Sequence, residues 1–122
     1  MMEKLSPQMR HQLAQFQQVQ QQAQALLSQR QQLEVLLHET ERAIEELGKL
    51  QDDATVYKSV GTILVKYNKK EVEKSLAEEK ETIDLRVKTI QRQEERAIQR
   101  LQEMRNKLDQ SLKGQQTPEA AS

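Results

Sequence analysis

"TVYKSVGTILVKYN", residues 55–68, decides how the rest of the chain is read. It is rich in β-branched residues, holds both tyrosines and contains one of only three glycines in 122 residues. Gly61 tolerates the positive φ that a tight hairpin needs, and no proline interrupts either flank. A two-residue loop at Val60-Gly61 pairs Tyr57 with Leu64 and Val56 with Val65. That register puts Val56, Ile63 and Val65 on one face and Tyr57 and Leu64 on the other, and a bulge at Gly61 would shift it. The run "ILV" is apolar on both faces, as in a strand covered from two sides.

An isolated two-stranded hairpin is marginal in water, and its open edges invite other strands. Helices leading away from the bend cannot cover its faces and edges, so the cover must come from other chains. The sequence therefore predicts an oligomer built through its hairpins. The plainer reading is an extended helix–helix turn. A turn has no need of so many apolar β-formers, since polar Gly/Asn/Ser loops serve it.

Outward from the hairpin, both flanks read as long helices. Ser6 can cap the first, and Pro7 fits its first position because the missing N–H has no intrahelical partner there. Met9, Leu13, Phe16, Ala23 and Leu27 follow a 3–4 spacing; after a slip of phase near Leu26–Arg30 the stripe resumes as Leu33, Leu37, Thr40, Ile44 and Leu47. Such alternation is a coiled-coil seam, and the slip is a heptad discontinuity. For the second helix, Asn68 and Glu71 have capping-box spacing. Leu76, Ile83, Ile90, Ala97 and Met104 recur every seventh residue, with Val87, Leu101 and Leu108 between and Glu94 as a polar intrusion. Gly114 offers a C-terminal stop, and the polar tail carries the second proline.

The expectation is one domain over residues 1–122, mainly α with a small β element. Helix 1 spans about 7–50, the hairpin about 55–67, helix 2 about 69–113, and a disordered tail 115–122. Each helix covers roughly 60–65 Å at 1.5 Å per residue. The simplest packing is a long antiparallel two-helix coiled coil, with the hairpin at its bend and both chain ends at the far tip.

Composition agrees. Hydrophobic residues are 35% and aromatics 2%, against a typical apolar share of roughly 45–50%, so a narrow seam suits this chain better than a globular core. Nineteen basic and nineteen acidic residues cancel, and no net field points to nucleic acid or an anionic membrane. Cysteine is absent, which fits a reducing compartment; with no apolar run of membrane-span length or signal-peptide core, the expectation is cytoplasmic.

Chemistry-bearing patterns are sparse. His11 and His38 lie far apart and read as exposed helix residues, and Asp52-Asp53 as ordinary linker. No nucleophile triad or phosphate loop stands out, so the expectation is no enzyme, cofactor or metal. Lys66, Lys69 and Lys70 are balanced by Glu71 and Glu73 and read as a solvated helix start. At the chain ends, Leu5, Met9, Leu13 and Phe16 face Met104, Leu108 and Leu112. These side chains either zip the ends shut or form an adaptable apolar surface of the kind promiscuous binders use.

The helix, the single hairpin "VYKSVGTILVK" and a helix containing "LRVKTIQRQEERAIQRLQEM" together resemble the β-type subunits of archaeal prefoldin. The resemblance covers nearly the whole chain, and one hairpin separates the β type from the two-hairpin α type. It implies an ATP-independent holdase, a hexamer of two α and four β subunits whose hairpins join in an intersubunit β-barrel. Unfolded clients bind at the coiled-coil tips and pass to a group II chaperonin. Carried over by position, Val56, Tyr57, Val60, Gly61, Ile63, Leu64 and Val65 serve subunit assembly. Leu5, Met9, Leu13, Phe16, Met104, Leu108 and Leu112 serve client binding. The alternative function is a structural coiled-coil scaffold or spacer that oligomerises through its hairpin.

Overall fold

The structure is a computed structural model that describes residues 5–121, the side chains of 114–121 excepted. Four elements follow in order: α1 (Pro7–Gly48), β1 (Thr55–Val60), β2 (Ile63–Asn68) and α2 (Lys69–Ala121). The chain divides into two compact units. The chain-end unit holds residues 1–29 and 90–122, and the hairpin unit holds 30–89. Each unit thus joins a stretch of α1 to a stretch of α2.

Local chemistry sets the helix starts. The Met9 amide donates to Ser6 Oγ at 3.1 Å and the Arg10 amide to the Ser6 carbonyl at 3.0 Å. At the head of α2, the Glu71 amide donates to Asn68 Oδ1 and Asn68 Nδ2 donates to Glu71 Oε1, both at 2.9 Å. Both caps satisfy amides that the helix itself leaves orphaned. α1 ends in tight i→i−3 bonds from the Lys49 and Leu50 amides, and the Ala54 amide closes a turn onto the Gln51 carbonyl.

α2 runs on past its expected stop at 113. Its helical backbone continues through Gly114 to Ala121. A glycine ends a helix when it turns left-handed, and among the described residues only Gly61 has a positive φ. Gly114 keeps the helical conformation and the ladder passes through it.

The α1 seam shows no phase slip. Met9, Gln12, Phe16, Val19, Ala23, Leu26, Arg30, Leu33, Leu37, Thr40, Ile44 and Leu47 are all buried or half-buried, at strictly alternating steps of three and four. The expected slip came from passing over Gln12, Val19 and Arg30, which occupy seam positions; Leu13 and Leu27 flank the seam. Val19 is the most buried apolar residue described, at 4% exposure. Arg30 remains half-buried because its guanidinium donates to Glu34 at 2.8 Å, and Thr40 returns its hydroxyl to the Leu36 carbonyl at 2.9 Å. On α2 every heptad position expected from the sequence is shielded, Glu94 included. No large side chain among the described residues is fully buried, as expected of a seam rather than a core.

Candidate functional site

The hairpin register differs from the sequence expectation by two residues. Val60 pairs with Ile63, Ser59 with Leu64, Lys58 with Val65, Tyr57 with Lys66 and Val56 with Tyr67. The loop is Gly61-Thr62, not Val60-Gly61. Gly61 has φ of 60° and no other described residue has a positive φ. A glycine at the first loop position with positive φ there alone is the type II′ pattern, whose twist matches that of the strands. A shift of two preserves side-chain parity, so the expected faces survive. Val56, Ile63 and Val65 share one face and Tyr57 and Leu64 the other.

The two faces are unequally covered. Lys58, on the Val56 face, donates its Nζ to Ser75 Oγ at 2.8 Å and lies 3.4 Å from Glu79 Oε1, both on α2. Val56, Lys58, Val65 and Tyr67 are accordingly half-buried. The protein's own helix therefore shields part of one face, where the sequence reading left both faces to other chains. The remaining apolar side chains stand in solvent: Tyr57 is 61%, Ile63 60% and Leu64 71% exposed, with Val60 also exposed near the turn.

Lys69 is the residue that sequence reasoning misplaced. It is not part of a solvated helix start but is buried, and its Nζ donates to the Leu50 carbonyl at 2.8 Å and to Asp52 Oδ1 at 3.3 Å. A further carboxylate, Glu73, lies 3.5 Å away. Lys69 thus ties the α1–β1 linker to the first turn of α2 and anchors the base of the hairpin. Asp52, read as plain linker, is one of its partners.

In the chain-end unit an apolar groove gathers four of the seven residues expected at the tip: Leu13, Phe16, Leu108 and Leu112. It adds Ile98 and Leu101, which the site prediction lacked. Ile98 is 50% exposed and Leu112 is exposed as well. The signal for Ile98 was its spacing of two heptads from Leu112, one position beside the seam. Met9 is buried in the seam and Leu5 is half-buried. Met104 faces a separate, more polar groove with Gln12, Gln15, Arg100, Glu103 and Lys107. There Gln12 Oε1 is buried without a hydrogen-bond partner. Because Gln12 and Gln15 share a groove with Met104 and Lys107, while Ala25 and Leu26 share another with Gln93 and Ala97, the helical segments run antiparallel here.

Among the described residues no three His, Cys, Asp or Glu side chains are placed to hold a metal, and no helix is long and apolar enough to cross a membrane. What the geometry offers is apolar surface: a hairpin at one site and a groove at another. Fold and surfaces define a class, that of the two-helix coiled-coil chains with a single β-hairpin between the helices.

Within that class, the family model of the prefoldin subunit matches residues 10–115. The prefoldin subunit beta of Archaeoglobus fulgidus is 51% identical over 114 residues, covering 93% of this chain and 98% of that one. That of Methanosarcina acetivorans is 45% identical over 112 residues, 92% of this chain and 96% of that one. The crystal structure of the prefoldin beta subunit from Thermococcus strain KS-1 superposes with a TM-score of 0.84 at 35% identity, covering 89% and 96% of the two chains. The chain belongs to the prefoldin subunit family, a family of chaperones.

Proposed function

We propose that this chain is a β-type subunit of an ATP-independent holdase that captures unfolded polypeptides in the apolar groove of the chain-end unit. The observation that carries this reading is that groove: Leu13, Phe16, Ile98, Leu101, Leu108 and Leu112 line it, and Ile98 and Leu112 are exposed to solvent. Burying one Leu-sized side chain contributes roughly 1.5–3 kcal/mol. Half-exposed residues gain only part of that, and ordering a client opposes it. One groove therefore binds weakly, and several grooves on one assembly bind well through effective concentration. Capture and release then need no nucleotide.

The assembly is a hexamer of two α-type and four β-type chains, joined through the exposed hairpin residues Tyr57, Val60, Ile63 and Leu64, with Val56 and Val65 behind them and Gly61 forming the turn. Unfolded clients pass from it to a group II chaperonin, in the cytoplasm. The test is aggregation of an unrelated enzyme diluted from denaturant, without ATP, in the presence of this chain assembled with an α-type subunit. Protection is expected, and Ile98→Ser with Leu112→Ser should remove most of it while the hexamer persists. Aggregation unchanged by the parent assembly would sink the proposal.

A further inference from the structure

The chain-end unit has a further groove, about 460 Å³, which shares no residue with the client groove. Its floor is apolar: Val19, Leu26 and Ala97. The cause is legible in the seam, where Ala97 stands at a position that Leu101, Met104 and Leu108 fill with larger side chains on the following turns. The missing volume leaves a notch between the helices. Arg96 and Arg100 stand over it, one turn apart on α2, with Gln22 and Gln93 at the rim. No carboxylate lines the notch. Neither arginine has an ion pair or side-chain hydrogen bond among the described residues.

This flank differs in kind from the other. The more polar groove beyond it is continuous through Arg100, which lines both. Along α1, Gln15 and Gln22 face these two grooves seven residues apart, and Gln8 and Gln29 extend the same heptad row. A row of neutral amides faces the guanidiniums, and the carboxylate of this flank, Glu103, lines the adjoining polar groove, which leaves the notch itself positively charged. Guanidinium groups select carboxylates through forked, charge-assisted hydrogen bonds. Two of them four residues apart on a helix match carboxylates at the same spacing on a partner helix, since both repeat about 6 Å along the axis.

We infer that this notch is a docking surface for an acidic amphipathic helix of a partner protein, distinct from unfolded clients. One leucine-sized side chain of that helix fills the space above Ala97, and two carboxylates four residues apart engage Arg96 and Arg100. The client groove and the notch lie on different residues, so a partner can be held while a client is bound.

The test uses the assembled chain and fluorescein-labelled helical peptides of about 18 residues, long enough to hold helix. Each carries leucines on one stripe and, beside them, paired positions four apart filled by Glu, Gln or Lys. By fluorescence anisotropy the Glu peptide should bind roughly tenfold tighter than the Gln peptide, as two solvent-screened ion pairs warrant, and the Lys peptide should bind weakest. Raising salt from about 0.05 to 0.5 M should erase most of the preference. Arg96→Gln with Arg100→Gln should abolish it, and Ala25→Trp, at the lip of the notch, should block the peptide without loss of helical circular dichroism. Ile98→Ser with Leu112→Ser should leave the Glu peptide's affinity unchanged. Equal affinity for the three peptides, no binding at all, a preference that survives the double arginine variant, or loss of binding in the client-groove variant would each overturn the inference. None of these outcomes bears on aggregation protection, which tests the client groove separately.

Discussion

Replacing Lys69 by methionine should destabilise the hairpin unit by about 1–2 kcal/mol, and the reason lies in its three oxygen neighbours. The ammonium donates to the Leu50 carbonyl at 2.8 Å, and a hydrogen bond from a charged group contributes roughly 1.5–3 kcal/mol. The ion pairs add little. The Asp52 side chain is 84% exposed and that of Glu73 45%, so solvent screens both, and together they contribute at most about 1 kcal/mol. Against this, the Lys69 side chain is only 8% exposed, and methionine removes the cost of holding an ammonium there. Methionine keeps most of the stem's volume, so no cavity term enters. The assay is urea unfolding followed by far-UV circular dichroism at one fixed subunit concentration, because assembly contributes to apparent stability. Asp52→Asn is the control and should cost less than about 0.5 kcal/mol. The reasoning fails if Lys69→Met lies within about 0.3 kcal/mol of the parent, or if Asp52→Asn costs as much.

Gly61→Ala should cost about 1–2 kcal/mol, since an added Cβ meets nothing within 4 Å and only the backbone at φ 60° objects; Gly61→Asn should cost visibly less in the same melts. Asn68→Ala should cost about 1 kcal/mol by removing the cap of α2, and equal thermal stability would contradict that role. Ile63→Asp with Val65→Asp should prevent assembly with an α-type subunit in native mass spectrometry, and a double variant that still forms the hexamer would refute the hairpin as the joint.

Some of this architecture was readable from the sequence because the interactions responsible are local. Ser6 and Asn68 reach amides three residues ahead, so the helix starts depend on nothing distant. Strand faces follow from parity, which is why Tyr57 and Leu64 share a face although their expected pairing was two residues out. The heptad row of α2 is likewise a property of its own residue spacing, Glu94 included. The apolar groove of the chain-end unit was half legible. Leu13, Phe16, Leu108 and Leu112 were found from the apolar stripe, but Ile98 was overlooked because it flanks the seam instead of occupying it.

The tertiary structure decided whatever depends on the chain returning to itself. The loop settled on Gly61-Thr62 because placing glycine first puts the single positive φ where the strand twist requires it. Lys69 is buried because the Leu50 carbonyl comes back to meet it from nineteen residues away. Val19 and Ala97 line one groove from two helices, and only that juxtaposition turns a small side chain into a notch lined by two arginines. Sequence alone determined where the helices begin, which hairpin side chains share a face and where the α2 heptads fall, because each is a matter of neighbours a few residues apart. Which polar groups are buried, which apolar ones stay in solvent and which flank carries charge were decided by contacts between distant segments, which no local spacing records.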